Sequence, residues 1–113
     1  MMSQSIRSMA ILKPHEGKEP ELLEFLREFY LMMQAKQYSR DMLFQDPKQP
    51  GVLVHLRIWL SEEARKTAVD DPDVHRYWMN LPELGTITNI YEELRPVFST
   101  KDGNIEDILE NGV

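Results

Sequence analysis

The sequence predicts an α+β domain in which four antiparallel strands carry two helices on one face. Three observations lead there. A helical stripe of apolar residues follows a short strand-like segment near the N-terminus. Two strand-like segments then follow each other across a Pro/Gly turn. A second helical region, interrupted by proline, precedes a last strand-like segment.

In chain order, Ile6 to Leu12 alternates weakly and stops at Lys13-Pro14, which predicts the first strand. Pro20 suits the first turn of a helix, where its missing N–H leaves no bond unmade. From there Leu22, Phe25, Leu26, Phe29, Tyr30 and Met33 recur every three or four residues, one apolar face running to about Lys36. Tyr38 to Gln45 reads as the second strand, ended by Asp46-Pro47-Lys48-Gln49-Pro50-Gly51. Val52 to Leu60, rich in β-branched and aromatic residues, is the third. Its short connection to the second predicts an antiparallel hairpin with a longer loop. Ser61 caps the next helix, with Glu62 and Glu63 at its positive end. That helix breaks near Asp70-Asp71-Pro72, resumes from Asp73 to about Asn80 and ends at Leu81-Pro82-Glu83-Leu84-Gly85. Thr86 to Phe98 supplies the fourth strand. The order β-α-β-β-α-β is the ferredoxin-like arrangement.

Composition narrows the function. The 113 residues amount to one domain, and 42% hydrophobic with 28% charged residues is ordinary for a globular chain. Thirteen Lys and Arg against 19 Asp and Glu give a net charge of −6. A nucleic-acid or anionic-membrane binder needs the opposite balance, so neither partner is expected. No apolar run approaches the ~20 residues of a membrane span, and no signal-peptide core stands at the N-terminus. A cytoplasmic location is the expectation. Cysteine is absent, which removes disulfides, thiolate catalysis and Cys-ligated metals. The domain is expected over residues 1–98 and an acidic tail over 99–113. The tail carries Lys101 against Asp102, Glu106, Asp107 and Glu110, with Ile105, Ile108 and Leu109 able to dock a short helix.

Period-two geometry divides the third strand into two sets. Val52, Val54, Leu56, Ile58 and Leu60 are expected on the helix-covered face, and Leu53, His55, Arg57 and Trp59 on the open one. The first strand adds Met9 and Ile11 to that open face. An exposed sheet of this kind marks an interface or a ligand groove. A homodimer is therefore expected, two sheets facing each other around a mixed apolar and polar cavity.

Most catalytic signatures are missing. There is no H-E-x-x-H helix, no G-x-S-x-G turn and no glycine-rich phosphate loop, and His15, His55 and His75 have no metal-ligand spacing. No metal or cofactor is expected. Two clusters remain: His55, Arg57 and Trp59 on the third strand, and His75-Arg76-Tyr77-Trp78 in the second helical region. Around an apolar cavity they suit a small planar aromatic or hydrophobic ligand. Arg57 would stabilise a phenolate or enolate, His55 or His75 would move a proton, and Trp59, Tyr77 and Trp78 would hold the ring. Plain packing is the competing reading for the aromatics.

The chain resembles the antibiotic biosynthesis monooxygenase (ABM) family of dimeric α+β barrels over roughly residues 6 to 98. The likeness rests on the element order, on Asp46-Pro47 and Pro50-Gly51 in the hairpin, and on Arg57-Ile58-Trp59-Leu60-Ser61-Glu62-Glu63 followed by the break at Pro72. The resemblance implies a homodimer with a cavity beside each sheet. It also implies oxidation of an electron-rich phenol or anthrone by O₂ without metal or flavin. Several family positions differ here. Arg57 stands where a Glu is common, and Ala68 and Asp73 stand where histidines are common. The Asn, Trp and His of the haem-degrading branch are not matched at Ser8, Ala68, Trp78 or Met79. The alternative is a homodimer that binds a small molecule or a partner without catalysis, or an isomerase or cyclase of the same superfamily.

Overall fold

The computed structural model describes residues 6–98. The expected tail over 99–113 lies outside the described residues. Four strands, β1 (Arg7–Pro14), β2 (Ser39–Asp46), β3 (Gln49–Trp59) and β4 (Gly85–Leu94), form one sheet in the order β2-β3-β1-β4, antiparallel throughout. Helices α1 (Glu19–Ala35), α2 (Glu62–Val69) and α3 (Pro72–Asn80) complete the ferredoxin-like order, with a short 3₁₀ turn at Leu81–Glu83 before β4. None of the helices is long and apolar enough to cross a membrane.

Each helix forms where its sequence provides an end. Pro20 lies in the first turn of α1 beside Glu19 and Glu21. The stripe Leu22, Leu26, Phe29 and Met33 is buried against the sheet. Past its end Gln37 takes φ 60°, and Tyr38 N–H bonds back to the Met33 carbonyl at 3.0 Å, closing the last turn. Ser61 Oγ accepts from Ala64 N–H at 2.9 Å and caps α2. Asp71 Oδ1 accepts from Asp73 N–H at 2.8 Å and starts α3, with Pro72 in its first turn. The break is also tied to the end of α1. Lys36 Nζ donates to Asp71 and Asp73, each at 2.7 Å, and the Tyr38 hydroxyl donates to Asp71 at 2.6 Å.

The β2–β3 hairpin is tighter than the sequence suggests. Asp46 pairs with Gln49, leaving Pro47-Lys48 as the turn, and Asp46 Oδ1 accepts from Lys48 N–H at 2.9 Å. Pairing then slips between Gln45 and Asp46, so Pro50, Gly51 and Val52 form an irregularity on β3 rather than a loop. A proline is tolerated at such a place because no ladder hydrogen bond is asked of it.

The face of β3 is the main correction. Leu53 and Trp59 belong to the two buried clusters made with α1 and α3, and His55 and Arg57 are buried beside them. The alternate set of Val52, Val54 and Leu56 is only partly buried and belongs to the other face, while Ile58 at the end of that set is buried. The register fixes this outcome. Ala10 stands opposite His55 and Leu12 opposite Leu53, and both β1 residues face the helices. Leu60, also expected under the helices, lies past the strand and is half exposed. The uncovered face therefore presents Met9 and Ile11, as expected, but beside Leu56 and Val54 instead of Leu53 and Trp59.

Candidate functional site

A cavity of about 540 Å³ opens on the helix-covered side of the sheet, beneath α2 and α3. His55, Arg57 and Trp59 enter it from β3, because alternation sends every second residue to one face. Ser8 and Ala10 of β1 and Ile87, Ile90 and Glu92 of β4 continue the floor. Val74, His75 and Trp78 of α3 form the roof, with Arg65, Ala68 and Val69 of α2 at one side. The helix break at Asp70-Asp71-Pro72 is what turns α3 so that residues 74, 75 and 78 look back at the sheet. A more open trough of about 570 Å³ lies outside, between α1 and β2. Of the ring-bearing and ionisable groups singled out in the sequence, His55, Arg57, Trp59, His75 and Trp78 line the inner cavity.

Arg57 is 2% exposed, and a guanidinium so placed requires a partner. Asp41 of β2, which stands opposite it in the ladder, is that partner. Arg57 Nε donates to Asp41 Oδ1 at 2.7 Å and Nη2 donates to Oδ2 at 3.1 Å, a bidentate fork with the carboxylate fully buried. Ser39 Oγ adds a third donor to the carboxylate at 3.0 Å. The guanidinium also lies 4.8, 5.4 and 6.0 Å from the rings of Phe29, Trp59 and Trp78. Sequence reasoning singled out Arg57 and missed Asp41. An acidic residue inside an otherwise strand-like segment was the available signal, since such segments rarely bury an unpaired carboxylate.

His55 has a similar hidden partner. The Tyr30 hydroxyl of α1 lies 2.6 Å from His55 Nδ1, and the two rings are tilted 5.4 Å apart. Burial, reinforced by the nearby Arg57 charge, holds the imidazole pKa down at about 3. His55 is thus uncharged at neutral pH and does not exchange a proton there as the sequence suggested. Burial, then the Asp41 carboxylate, push the Tyr30 phenol above its usual range against the opposing pull of Arg57. The sequence presents Tyr30 only as part of the α1 stripe.

The remaining candidates separate. Trp59 is buried, its Nε1–H donating to Ser8 Oγ at 2.9 Å, while the Ser8 hydroxyl donates to the Glu92 carbonyl at 2.6 Å. Trp78 meets Phe29 edge-on, with centroids 5.7 Å apart, and faces the cavity. Tyr77 stacks on Phe29 at 4.7 Å and meets Phe25 edge-on, away from the cavity lining. His75 is exposed and its Nε2 is hydrogen-bonded to the Val69 carbonyl at the cavity's edge. His15 is bonded through Nε2 to the Pro82 carbonyl at 2.8 Å, outside the cavity. Among the described residues, no three His, Asp or Glu side chains gather as a metal ion requires.

By sequence, the chain matches no protein-family model and no curated protein. By structure it is similar to SnoaB, a cofactor-independent oxygenase from Streptomyces nogalater, with a TM-score of 0.67 and 13% identity over 86% of this chain and 100% of SnoaB. A protein from Chloroflexus aurantiacus, provisionally named an antibiotic biosynthesis monooxygenase, gives 0.65 and 19% identity over 85% of this chain and 96% of its own. A conserved protein of unknown function from Bacteroides thetaiotaomicron gives 0.71 and 14% identity over 84% of this chain and 100% of its own. At such identities the shared property is the path of the backbone and not the chemistry. The chain has the ABM-like α+β fold, with its cavity on the helix-covered side of the sheet.

Proposed function

We propose that the chain is a cofactor-independent oxygenase of a small planar aromatic or quinol-like compound, bound in the cavity beneath α2 and α3. The observation that carries this reading is the convergence of two indoles, a paired guanidinium and an uncharged imidazole on one largely apolar space of about 540 Å³. Trp59 and Trp78 would flank the ring, and Arg57 with His55 would meet its oxygen. Tyr77 supports this arrangement through Phe29 rather than by touching the ligand. In the reaction, a CH₂ group conjugated with a carbonyl loses one proton and the resulting carbanion passes an electron to O₂. The two radicals join in a C–O bond, the proton returns to the peroxide oxygen, and loss of water with the second hydrogen of that carbon leaves a new carbonyl. Carbon is oxidised and dioxygen reduced, one oxygen atom staying in the product and the other leaving as water. The protein contributes position and stabilisation of the anion. Of the two histidines, His75 at the exposed edge is the one left to carry the proton away.

The uncovered face supports a homodimer. Met9 pairs with Leu56, Ile11 with Val54, Met42 with Leu56 and Phe44 with Val54, a contiguous apolar surface across three strands. A second copy placed there by a two-fold axis buries it. Leu56→Asp is expected to give a folded monomer by light scattering. A wild-type monomer at micromolar concentration would overturn the dimer.

Oxygen uptake with a panel of anthrones, hydroquinones and catechols, in the presence of a chelator, tests the oxygenase. Chelator-insensitive uptake lost in Trp78→Leu and in His55→Leu is the expected result. Uptake unchanged in both variants would place the reaction elsewhere. Binding of these compounds with no uptake would favour the second reading, a binding protein or a non-oxidative isomerase or cyclase. One observation already leans that way: Asp41 neutralises Arg57, so a fully formed anion gains less from it than from a bare guanidinium.

A further inference from the structure

Tyr30 has one hydroxyl proton and two neighbours that can accept it. His55 Nδ1 lies at 2.6 Å and the Met42 carbonyl at 3.4 Å. A separation of 2.6 Å belongs to an O–H donor, since N–H donors settle near ~2.9–3.0 Å, and 3.4 Å is too long for a firm bond. The phenol therefore donates to Nδ1, which is the bare nitrogen of the ring. An uncharged imidazole has one N–H, so the proton sits on Nε2. Among the described residues Nε2 has no hydrogen-bond partner, while the ring lines the cavity.

The other polar groups of the wall make this consequential. Arg57 turns Nε and Nη2 to Asp41, leaving Nη1 as a donor without a partner among the described residues. The Ser8 hydroxyl gives its proton to the Glu92 carbonyl and takes that of Trp59. The Asp41 carboxylate already accepts from Arg57 and Ser39. What the deep wall still offers a ligand is donors.

We propose that Tyr30 is a positioning residue that locks His55 as its Nε2–H tautomer, and that the donor pair of His55 and Arg57 selects a planar ligand through a carbonyl or enolate oxygen. The ligand half rests on the aromatic-site reading above; the Tyr30 half stands on the geometry of the ring. A ligand without an acceptor oxygen leaves both donors unpaired in a buried site, and that penalty is the basis of the selection.

Two measurements test it. Long-range ¹H–¹⁵N NMR of the full chain, with His55 assigned from a His55→Gln variant, reads the tautomer. The expected result is a protonated Nε2 and a bare Nδ1, unchanged from about pH 5 to about pH 8. In Tyr30→Phe the His55 signals are expected to move toward a tautomer mixture. A protonated Nδ1 in the wild type overturns the proposal, whatever the ligand.

Equilibrium dialysis with 9-fluorenone and fluorene, planar compounds that differ in one carbonyl, tests the selection. Fluorenone is expected to bind the wild type roughly tenfold more tightly, and Tyr30→Phe to narrow that ratio to about twofold. His55→Gln, whose amide N–H reaches near the Nε2 position, is expected to keep more of the preference than His55→Leu. Equal binding of both compounds overturns the acceptor selection and leaves the aromatic site standing. Binding of neither removes that site and the ligand half with it, and the NMR result still decides the role of Tyr30.

Discussion

Replacing Asp41 by Asn removes the charge that faces Arg57 while keeping a side chain of nearly the same shape. In the folded protein Arg57 is 2% exposed, and the Asp41 carboxylate has no exposed surface, so water cannot take over the lost interaction. Removing one partner of such a buried pair costs about 3–5 kcal/mol. Asn can still accept one hydrogen bond from Nε, which puts Asp41→Asn near the lower end, at about 3 kcal/mol. The stacking of Arg57 on Phe29, Trp59 and Trp78 is present in both proteins and does not change the difference. Against a total stability of about 5–15 kcal/mol that loss is large. With a urea slope of about 1–3 kcal/mol per molar, the midpoint is expected to fall by about 1–3 M. The assay is urea unfolding followed by tryptophan fluorescence, since Trp59 and Trp78 both lie against the guanidinium, with circular dichroism as a second probe. Asp41→Leu with Arg57→Met replaces both charges by apolar groups and is expected to recover most of the loss. An Asp41→Asn variant within about 0.5 kcal/mol of wild type, or a double-mutant cycle that sums to zero, would refute the reasoning. Arg57 would then be free to meet a ligand's anion with its full charge.

The other predictions concern pH and packing. His55 is held near pKa 3 in the folded chain and titrates near 6.5 when unfolded, so between those values the unfolded state binds the extra proton. Stability is expected to fall as pH drops from about 6.5, by at most about 1.4 kcal/mol per pH unit, and His55→Gln to flatten that slope in urea titrations. Hydrogen bonds from Lys36 first, then Tyr38, hold the Asp71 carboxyl well below the usual carboxylate range. Its contribution is complete above about pH 4 and fades as pH falls further, so Asp71→Asn is expected to reduce the acid sensitivity below pH 4 as well as the stability at pH 7. At Gly85 an added Cβ would sit 3.0 Å from the Lys13 carbonyl oxygen and 3.1 Å from Leu22 Cδ2. Gly85→Ala is expected to lower stability by about 1–3 kcal/mol in the same assay, and an unchanged midpoint would mean that the β1–β4 edge yields easily.

Much of this architecture was legible in the residues themselves. The three-and-four spacing from Leu22 to Met33, the cap at Ser61 and the break before Pro72 are local signals, and each marks an element end or face within a residue or two of its place. His55, Arg57, Trp59, His75 and Trp78, singled out in the sequence, all line the cavity beneath α2 and α3, although the first three are expected from alternation on the open face. Tyr77 shared the spacing but not the direction: on α3 it stacks against Phe29, whereas Trp78 faces the cavity.

The sequence by itself determined the order of elements, the ends of the helices and which residues of β3 share a face, but not the start of β3 at Gln49 or the end of β4 at Leu94. It left open which face the helices cover. Alternation divides a strand into two sets, and both sets of β3 are apolar enough to be buried, so the pattern is symmetric to the choice. Only pairing with β1, which sets Ala10 against His55 and Leu12 against Leu53, removes that symmetry. The same holds for the partners that give the site its chemistry. Asp41 and Tyr30 lie 16 and 25 positions from the groups they serve, and no local periodicity connects them. Burial in the folded chain does, because a guanidinium and an imidazole enclosed among Phe29, Trp59 and Trp78 must each find a polar partner on a neighbouring element.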